Sequence, residues 1–210
     1  MLNILAAGAM ALSSLTAPVS APQQVNPPTE PMTISVGKVN GTGCKPGTAT
    51  AQASQDNQAI TISYSAYTAQ VGPNVSPLES RKGCQLFLNV SVPSGYSFAI
   101  AKADYRGFAH LEKGASASHR AFYYFQGMNN SVTAERGVAG YYDDNWTITD
   151  EVGIESLNWS PCRASRYLVV NSSVQVNAGS SDPATYSWMT VDSADVSLDT
   201  IFQLTWKTCW

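Results

Sequence analysis

The sequence has few charged residues and no basic cluster. Of 210 residues, only 12 are Lys or Arg and 15 are Asp or Glu, so the formal net charge is −3 at pH 7. A weakly acidic chain whose cations are scattered lacks the electrostatic footprint of nucleic-acid-binding proteins. We therefore expect no nucleic-acid partner.

Long apolar runs are also missing. Residues 1–21 carry no charge and are rich in Leu and Ala, but Ser and Pro interrupt them. This interrupted apolar stretch is not hydrophobic enough to span a bilayer, which takes roughly 20 apolar residues. It resembles a secretory signal without the usual basic start, and Pro18-Val19-Ser20-Ala21 supplies the small-residue cleavage site. We predict a signal peptide at 1–21, a flexible Pro-rich linker at 22–31 and one secreted domain at 32–210, with no membrane span.

Cysteine and histidine are scarce. The cysteines are Cys44, Cys84, Cys162 and Cys209, and the histidines are His110 and His119. The absence of a Cys-x-x-Cys pair disfavours a zinc site, so we expect two disulfides and neither a metal nor a cofactor. Of the three connectivities we prefer Cys44 with Cys84 and Cys162 with Cys209, because each pair joins neighbouring parts of the chain. Each bond would stabilise the fold by roughly 3 to 4 kcal/mol in the chain-entropy model.

Alternation of apolar and polar residues dominates the rest of the chain. The clearest apolar faces are Cys84, Leu86, Leu88, Val90 and Val92, then Ile60, Ile62 and Tyr64, then Leu168, Val170, Val174 and Val176, and last Phe202, Leu204 and Trp206. A period of two residues is the pattern of half-buried strands. Roughly nine such segments, with turn residues between them, predict an all-β fold, an antiparallel β-sandwich or jelly roll stabilised by the two disulfides.

Four local features are predicted within that fold. Residues 84–92 and 96–100 should form a hairpin across Pro93-Ser94-Gly95. A change of phase predicts a bulge near Gly107. Residues 121–125 are aromatic on both faces, as in a strand covered on both sides. Residues 150–158 are the one place for a short helix, with Asp150 as its cap.

Several segments, taken together, resemble those of a known family. They are Val39-Asn40-Gly41-Thr42-Gly43-Cys44, Tyr64-Ser65-Ala66-Tyr67-Thr68-Ala69-Gln70-Val71-Gly72, Arg81-Lys82-Gly83-Cys84-Gln85-Leu86, Ala103-Asp104-Tyr105-Arg106-Gly107-Phe108-Ala109, Tyr123-Tyr124-Phe125-Gln126-Gly127, Ser160-Pro161-Cys162, Met189-Thr190-Val191-Asp192-Ser193 and Trp206-Lys207-Thr208-Cys209. The set resembles a family of secreted fungal and bacterial proteins, the domain of unknown function 4360 (DUF4360). The resemblance implies a secreted, cysteine-stabilised, β-rich domain. It brings no established activity and no catalytic residues.

Groups suited to catalysis are sparse. His110 and His119 read as loop residues around Gly114, and no Gly-x-Ser-x-Gly elbow accompanies them. Asp143 and Asp144 would point to opposite faces of an extended chain, whereas a glycosidase needs two converging carboxylates. The pair formed by Glu151 and Glu155 is the other option. Asp104 beside Arg106 reads as a same-face ion pair of a strand. Four late carboxylates could gather around calcium, although their spacing fits no loop motif: Asp182, Asp192, Asp195 and Asp199.

Aromatic residues give the better functional hint. Tyr141, Tyr142 and Trp146 lie in a predicted loop with Asp143 and Asp144. Aromatic faces stack on the apolar faces of sugars, and carboxylates accept hydrogen bonds from sugar hydroxyls. These five residues are the predicted ligand-binding set, and packing of the rings into a core is the alternative.

Seven Asn-x-Ser/Thr sequons fit an exported protein. Asn74 and Asn158 are poor acceptors because Pro follows the sequon. The candidates for N-glycosylation are Asn40, Asn89, Asn129, Asn145 and Asn171.

The sequence favours a secreted, extracellular protein that binds a glycan, a wall component or a host protein without catalysis. The alternative is a secreted hydrolase that acts on cell-wall polysaccharide or protein, with carboxylates or His119 as acid or base. A third hypothesis, a structural or effector protein with a protein partner, is supported by the disulfides alone.

Overall fold

Most of the alternating segments form strands. The computed structural model describes residues 24–128, 131–191 and 199–209. Its twelve strands, in chain order, are β1 (Thr33–Gly41), β2 (Ala49–Ala53), β3 (Ala59–Tyr64), β4 (Thr68–Val71), β5 (Arg81–Ser91), β6 (Tyr96–Leu111), β7 (Ser116–Phe125), β8 (Val132–Ala139), β9 (Tyr142–Glu151), β10 (Tyr167–Asn177), β11 (Ser187–Val191) and β12 (Thr200–Thr208). Two short 3-10 helices, Pro77–Ser80 and Ile154–Ser156, complete the described elements.

The strands form two antiparallel sheets, which confirms the predicted all-β sandwich. One sheet has five strands in the order β1-β5-β10-β7-β8. The other has seven, in the order β2-β3-β12-β6-β11-β4, with β9 also paired to β6. Strand β6 is the long centre of this second sheet. Along one edge it pairs first with β12 and then with β11, and β9 follows its other edge.

The predicted hairpin is wrong. Strand β5 belongs to the five-stranded sheet and β6 to the seven-stranded sheet, so Pro93-Ser94-Gly95 carries the chain across the sandwich. Alternation shows which face of a strand is buried, but not which strand lies beside it. Two strands that face one core from opposite sheets therefore look like a hairpin in sequence.

Aromatic residues of both sheets fill the space between them. Tyr123 of β7 lies 5.7 Å from Phe202 of β12, and Phe98 of β6 lies 5.4 Å from Phe125 of β7, measured between ring centroids. All four rings are buried, and Trp206 is 1 % exposed. Offset and edge-on pairs of this kind contribute beyond their buried area, so they hold the sheets together.

Both disulfides have the predicted connectivity. Cys44 pairs with Cys84 and ties the loop after β1 to β5, with Cα atoms 5.3 Å apart. Cys162 pairs with Cys209 and ties the segment before β10 to the end of β12, with Cα atoms 5.8 Å apart. The second bond therefore closes one end of the sandwich.

Two further local predictions are wrong. The register between β12 and β6 passes from Gln203↔Lys102 to Leu204↔Ile100, which leaves Ala101 as the extra residue, while Gly107 pairs in register with Trp146. The predicted helix over 150–158 is the end of β9 followed by Ile154–Ser156, whose N-cap is Gly153. Asp150 is thus a strand residue, since pairing with β6 outweighs its preference for a helix cap.

The described part of the predicted linker lies along the sandwich. The amide of Val25 donates to the carbonyl of Trp206 at 3.0 Å. The side-chain amide of Asn57 donates to the carbonyls of Pro28 and Glu30, both at 2.8 Å. The predicted signal peptide lies outside the described residues. Within the described ranges, no helix is long and apolar enough to cross a membrane.

Candidate functional site

The outer face of the seven-stranded sheet carries a row of aromatic and acidic side chains. Alternation along β6 places Phe108 and His110 outward, because Tyr105, Ala109 and Leu111 are buried. The register sets His110 between Trp188 of β11 and Asp143 of β9. We call this row the outer strip. Its members are Phe108, His110, Glu112, Asp143 and Trp188.

The rings of the outer strip lie almost flat against one another. The Trp188 ring stacks on Phe108 with centroids 5.2 Å apart and planes 27° apart. It also stacks on His110 at 6.3 Å and 26°. All three side chains are half-buried, so each keeps part of its ring open to solvent. Cross-strand neighbours hold the rings in place, and the result is a compact aromatic cluster that is partly open to solvent.

Two carboxylates flank the imidazole of His110. Its Nδ1 lies 3.0 Å from Asp143 Oδ1, and its Nε2 lies 3.5 Å from Glu112 Oε1. The side chains of His110, Asp143 and Glu112 are 29 %, 44 % and 33 % exposed, so the carboxylates retain accessible acceptor oxygens. Hydrogen-bond acceptors therefore stand beside a partly exposed aromatic cluster.

The residues of the predicted ligand-binding set do not lie together on one face of the sheet. Tyr141 is 69 % exposed, and the predicted loop that follows it is strand β9. Asp143 faces His110, whereas Asp144 pairs with Ala109 and points to the opposite face, as the sequence predicts. The Tyr142 hydroxyl donates to the carbonyl of Asn145 at 2.7 Å.

The prediction that Trp146 binds a ligand from a loop is wrong. The sequence places it in an aromatic loop, but it is 3 % exposed and its ring lies inside the sandwich, 5.4 Å from that of His119. Its Nε1 donates to the carbonyl of Thr190 at 3.2 Å. An outward ligand cannot stack on this ring. Trp146 therefore has the core-packing role that the sequence left as the alternative.

Sequence reasoning missed Phe108, Glu112 and Trp188. The outward position of Phe108 follows from the parity of β6, because it shares a face with His110. Trp188 comes from a strand distant in sequence, and only the β11–β6 register brings it to His110. No local pattern indicates that pairing.

Comparison with known proteins places the chain in a family. Residues 30–209 match the family described as "Domain of unknown function (DUF4360)". The chain belongs to the DUF4360 family. A relative from Arthroderma benhamiae, described as an "Uncharacterized secreted protein", is 38 % identical over 169 residues, which are 80 % of this chain and 68 % of the relative.

One solved structure is also similar, namely TmCBM61 in complex with β-1,4-galactotriose. It has a TM-score of 0.32 and 13 % identity, and the match covers 83 % of this chain and 90 % of that one. Similarity at this level carries no functional argument.

Neither histidine of the DUF4360 chain lies in a loop, contrary to the prediction. His110 is in β6 and His119 is in β7. His119 is 0 % exposed, between Tyr105 at 4.9 Å and Trp146. Among the described residues, neither of its ring nitrogens has a hydrogen-bond partner. Burial lowers the pKa of His119 to about 4. It is thus neutral near pH 7 and out of reach of any external substrate.

The other carboxylates do not converge on the outer strip. Asp104 forms the predicted ion pair with Arg106, at 3.5 Å between Oδ2 and a guanidinium nitrogen. It also accepts a hydrogen bond from the Thr149 hydroxyl at 2.7 Å. Asp150 has an inward oxygen that lacks a partner among the described residues, and burial raises its pKa. Glu151 and Glu155 are exposed.

The described residues contain no group of three or more His, Cys, Asp or Glu side chains that could hold a metal ion. Of the carboxylates considered for calcium, Asp192 and Asp195 lie outside the described residues. Asp182 instead accepts from the amide of Ala184 at 2.8 Å, within a turn.

The sequons of the DUF4360 chain differ in access. Asn40, Asn89 and Asn145 are exposed, and Asn145 is beside Phe108 in the β6–β9 register. Asn171 accepts a hydrogen bond from Gln85 at 2.8 Å, and its own Nδ2 is buried. Asn129 lies outside the described residues. Glycosylation at all five stays a prediction, and a glycan on Asn145 would begin beside Phe108 of the outer strip.

A second aromatic surface lies on the five-stranded sheet. Of residues 121–125 in β7, only Ala121, Tyr123 and Phe125 are buried, so the prediction of a strand covered on both sides is wrong. Phe122 and Tyr124 are half-buried on the outer face, with ring centroids 6.3 Å apart and planes 10° apart. The outer strip differs in that two carboxylates contact one of its rings, which makes it the stronger candidate for a polar ligand.

Proposed function

We propose that this DUF4360 protein is secreted and binds an extracellular glycan through the outer strip without cleaving it. The stacking of Trp188 on Phe108 and His110, with Asp143 at 3.0 Å from the imidazole, carries the proposal. Secretion is supported by the description of the Arthroderma relative and by two disulfides, which persist in oxidising compartments.

The chemistry of the outer strip suits a polymer of sugars. The apolar face of a pyranose can lie on the Trp188 ring while its equatorial hydroxyls donate to the carboxylates of Asp143 and Glu112. The strip lies on a sheet face and all its members are partly exposed, so a chain could continue past it at both ends. Removing a central aromatic ring from such a site typically costs about 2 kcal/mol, or roughly 30-fold in affinity.

A glycan array tests this proposal. It should contain β-glucan, chitin, mannan, xylan and galactan oligosaccharides, and the strongest hit should then be titrated calorimetrically. Trp188→Ala should weaken binding by roughly 30-fold, and Asp143→Asn should weaken it less because the amide oxygen can still accept.

Tyr124→Ala is the matched control, since it removes a half-buried outward ring from the opposite sheet. Tyr141→Ala tests the exposed ring of the originally predicted set. Unchanged affinity in both controls, with loss in Trp188→Ala, supports the strip. Equal affinity of Trp188→Ala and the parent protein, or an array without hits, contradicts it.

One observation favours the alternative of a hydrolase. His110 lies between Asp143 and Glu112 on an accessible face, where it could accept or donate a proton. Product release from polysaccharide or peptide panels, abolished by His110→Gln, would support hydrolysis. Binding without product release would leave the glycan-binding proposal.

A further inference from the structure

A cleft opens at the end of the sandwich opposite the outer strip. Its volume is about 390 Å³, and it lies between the loop that joins β5 to β6 and the segment that precedes β10. This volume falls near the lower end of the usual range for small-molecule sites, about 300–1,000 Å³. Phe98 lines the cleft and His110 belongs to the strip, twelve residues further along β6. The two places are therefore roughly 40 Å apart along the strand, so the cleft is a separate site.

The cleft has a positive charge in a protein of net negative charge. Arg163 and Arg166 both line it, and the described lining contains no Asp or Glu. Among the described residues, neither guanidinium forms an ion pair. The net charge of the chain is −3, so this local excess of positive charge is distinct from the average surface. Guanidinium groups bind carboxylates through two parallel hydrogen bonds.

Hydroxyl groups and rings complete the lining. Ser91, Ser94 and Ser165 contribute hydroxyls, and Tyr96 contributes an aromatic ring. Hydroxyl groups can both donate to and accept from the hydroxyls of a sugar, while the ring offers an apolar contact. A simple inorganic anion would use the arginines alone, whereas a saccharide with a carboxylate would use all three kinds of group.

The walls of the cleft are tied to the core. Ser160 and Phe98 exchange backbone and side-chain hydrogen bonds of 2.7 and 3.0 Å, and the amide of Cys209 donates to the carbonyl of Gly95 at 2.8 Å. The disulfide between Cys162 and Cys209 fixes the chain next to Arg163. The backbone around the cleft is thus fixed before a ligand binds, whereas the exposed side chains of Arg163 and Arg166 lose conformational freedom on binding.

Arg163 itself has an unfavourable backbone conformation. Its φ is 59°, in the left-handed region where glycine is preferred and other residues are strained. Replacement by glycine should therefore not destabilise the fold. Residues that keep such strain cluster at binding sites, which fits a ligand role for this side chain.

We propose that this end cleft binds a carboxylate-bearing saccharide, a hexuronate unit, through Arg163 and Arg166. The two guanidinium groups hold the carboxylate, and the serine hydroxyls and Tyr96 contact the sugar. This proposal does not depend on the outer strip.

Titration of the full-length protein with a trimer of galacturonic acid tests the proposal, with calorimetry and NMR shifts as readouts. The methyl-esterified trimer is the matched ligand control, because it keeps the sugar and removes the charge. Inorganic phosphate is the second control ligand. The acid trimer should bind and should weaken at high salt, since charged groups contact it. The ester and phosphate should each bind at least about tenfold more weakly.

Variants separate the cleft from general effects of charge and folding. Arg163→Gly should lower affinity for the acid trimer by about tenfold or more while its melting temperature stays at or above that of the parent protein. Arg120→Ala removes a positive charge from an exposed ion pair elsewhere and should leave affinity unchanged. Trp188→Ala should also leave the affinity for the acid trimer unchanged, so a failure of glycan binding at the outer strip would not affect this test. No binding of the acid trimer, equal binding of the ester or of phosphate, or an undiminished affinity of Arg163→Gly would each overturn the proposal.

Discussion

Burial holds His119 in its neutral form. The side chain is fully buried between Tyr105 and Trp146, and its pKa is lowered to about 4 from an ordinary value of 6.5. Between pH 4 and pH 6.5, His119 is therefore protonated in the unfolded chain and neutral in the folded chain. Stability from this residue is present above pH 6.5 and falls as the pH drops toward 4. The loss amounts to about 3 kcal/mol, at 1.36 kcal/mol for each pKa unit.

The variant His119→Phe should remove that dependence. Urea unfolding of the variant and the parent from pH 7 to pH 4 gives the difference in their free energies of unfolding at each pH. That difference should shift by about 3 kcal/mol in favour of the variant as the pH falls, whatever its value at pH 7. Carboxylates, including Asp150 with its raised pKa, contribute equally to both proteins, so their effects cancel in the difference. His119→Leu is the second variant if phenylalanine does not fit the site. Parallel stability curves for both variants would show that His119 does not titrate in this way.

At the scale of elements, one glycine decides how closely β6, β9 and β11 approach. A Cβ added at Gly107 would collide with the backbone carbonyl of Thr190 and with the ring of Trp146. The neighbouring Trp188 of the outer strip depends on the same β11–β6 pairing. Gly107 therefore supports the geometry of the strip although it contacts no ligand.

Gly107→Ala should lower the free energy of unfolding by about 3 kcal/mol or more, because a backbone atom cannot give way as a side chain can. Gly137→Ala in β8 is the matched control, since its added Cβ meets the carbonyl oxygen of Ala117 at 3.5 Å, an ordinary contact. The control should lie within about 0.5 kcal/mol of the parent protein. Urea unfolding measures both. Similar stabilities of the two variants would contradict the tight approach of the three strands.

The sequence predicts the faces of the elements better than their neighbours. Cys84, Leu86 and Leu88 are buried on one side of β5 as their alternation predicts, because side-chain parity is a local property. The placement of β5 and β6 in different sheets depends on contacts far apart in sequence, and alternation does not encode it. The outer strip shows the same contrast between local pattern and long-range pairing. Asp143 is recognisable in an aromatic, acidic segment, but the partner ring of Trp188 arrives by strand pairing.

At the scale of the whole molecule, the sandwich has a candidate site near each end of β6. The disulfides join residues 40 and 47 positions apart, and the Cys162–Cys209 bond lies beside the end cleft. The outer strip is near the other end of β6, on the sheet face. This separation means that the two proposals stand or fall independently.

The central claim is that the outer strip contacts a glycan, and the indole signals of the tryptophans report on it directly. NMR spectra of protein labelled with ¹⁵N-tryptophan should be recorded during titration with the strongest glycan from the array. The Trp188 indole signal should move and saturate with the binding isotherm. The Trp206 signal should stay in place, because that indole is 1 % exposed and donates to the carbonyl of Asn57 at 2.9 Å. A glycan that binds while the Trp188 signal stays still would contradict the claim.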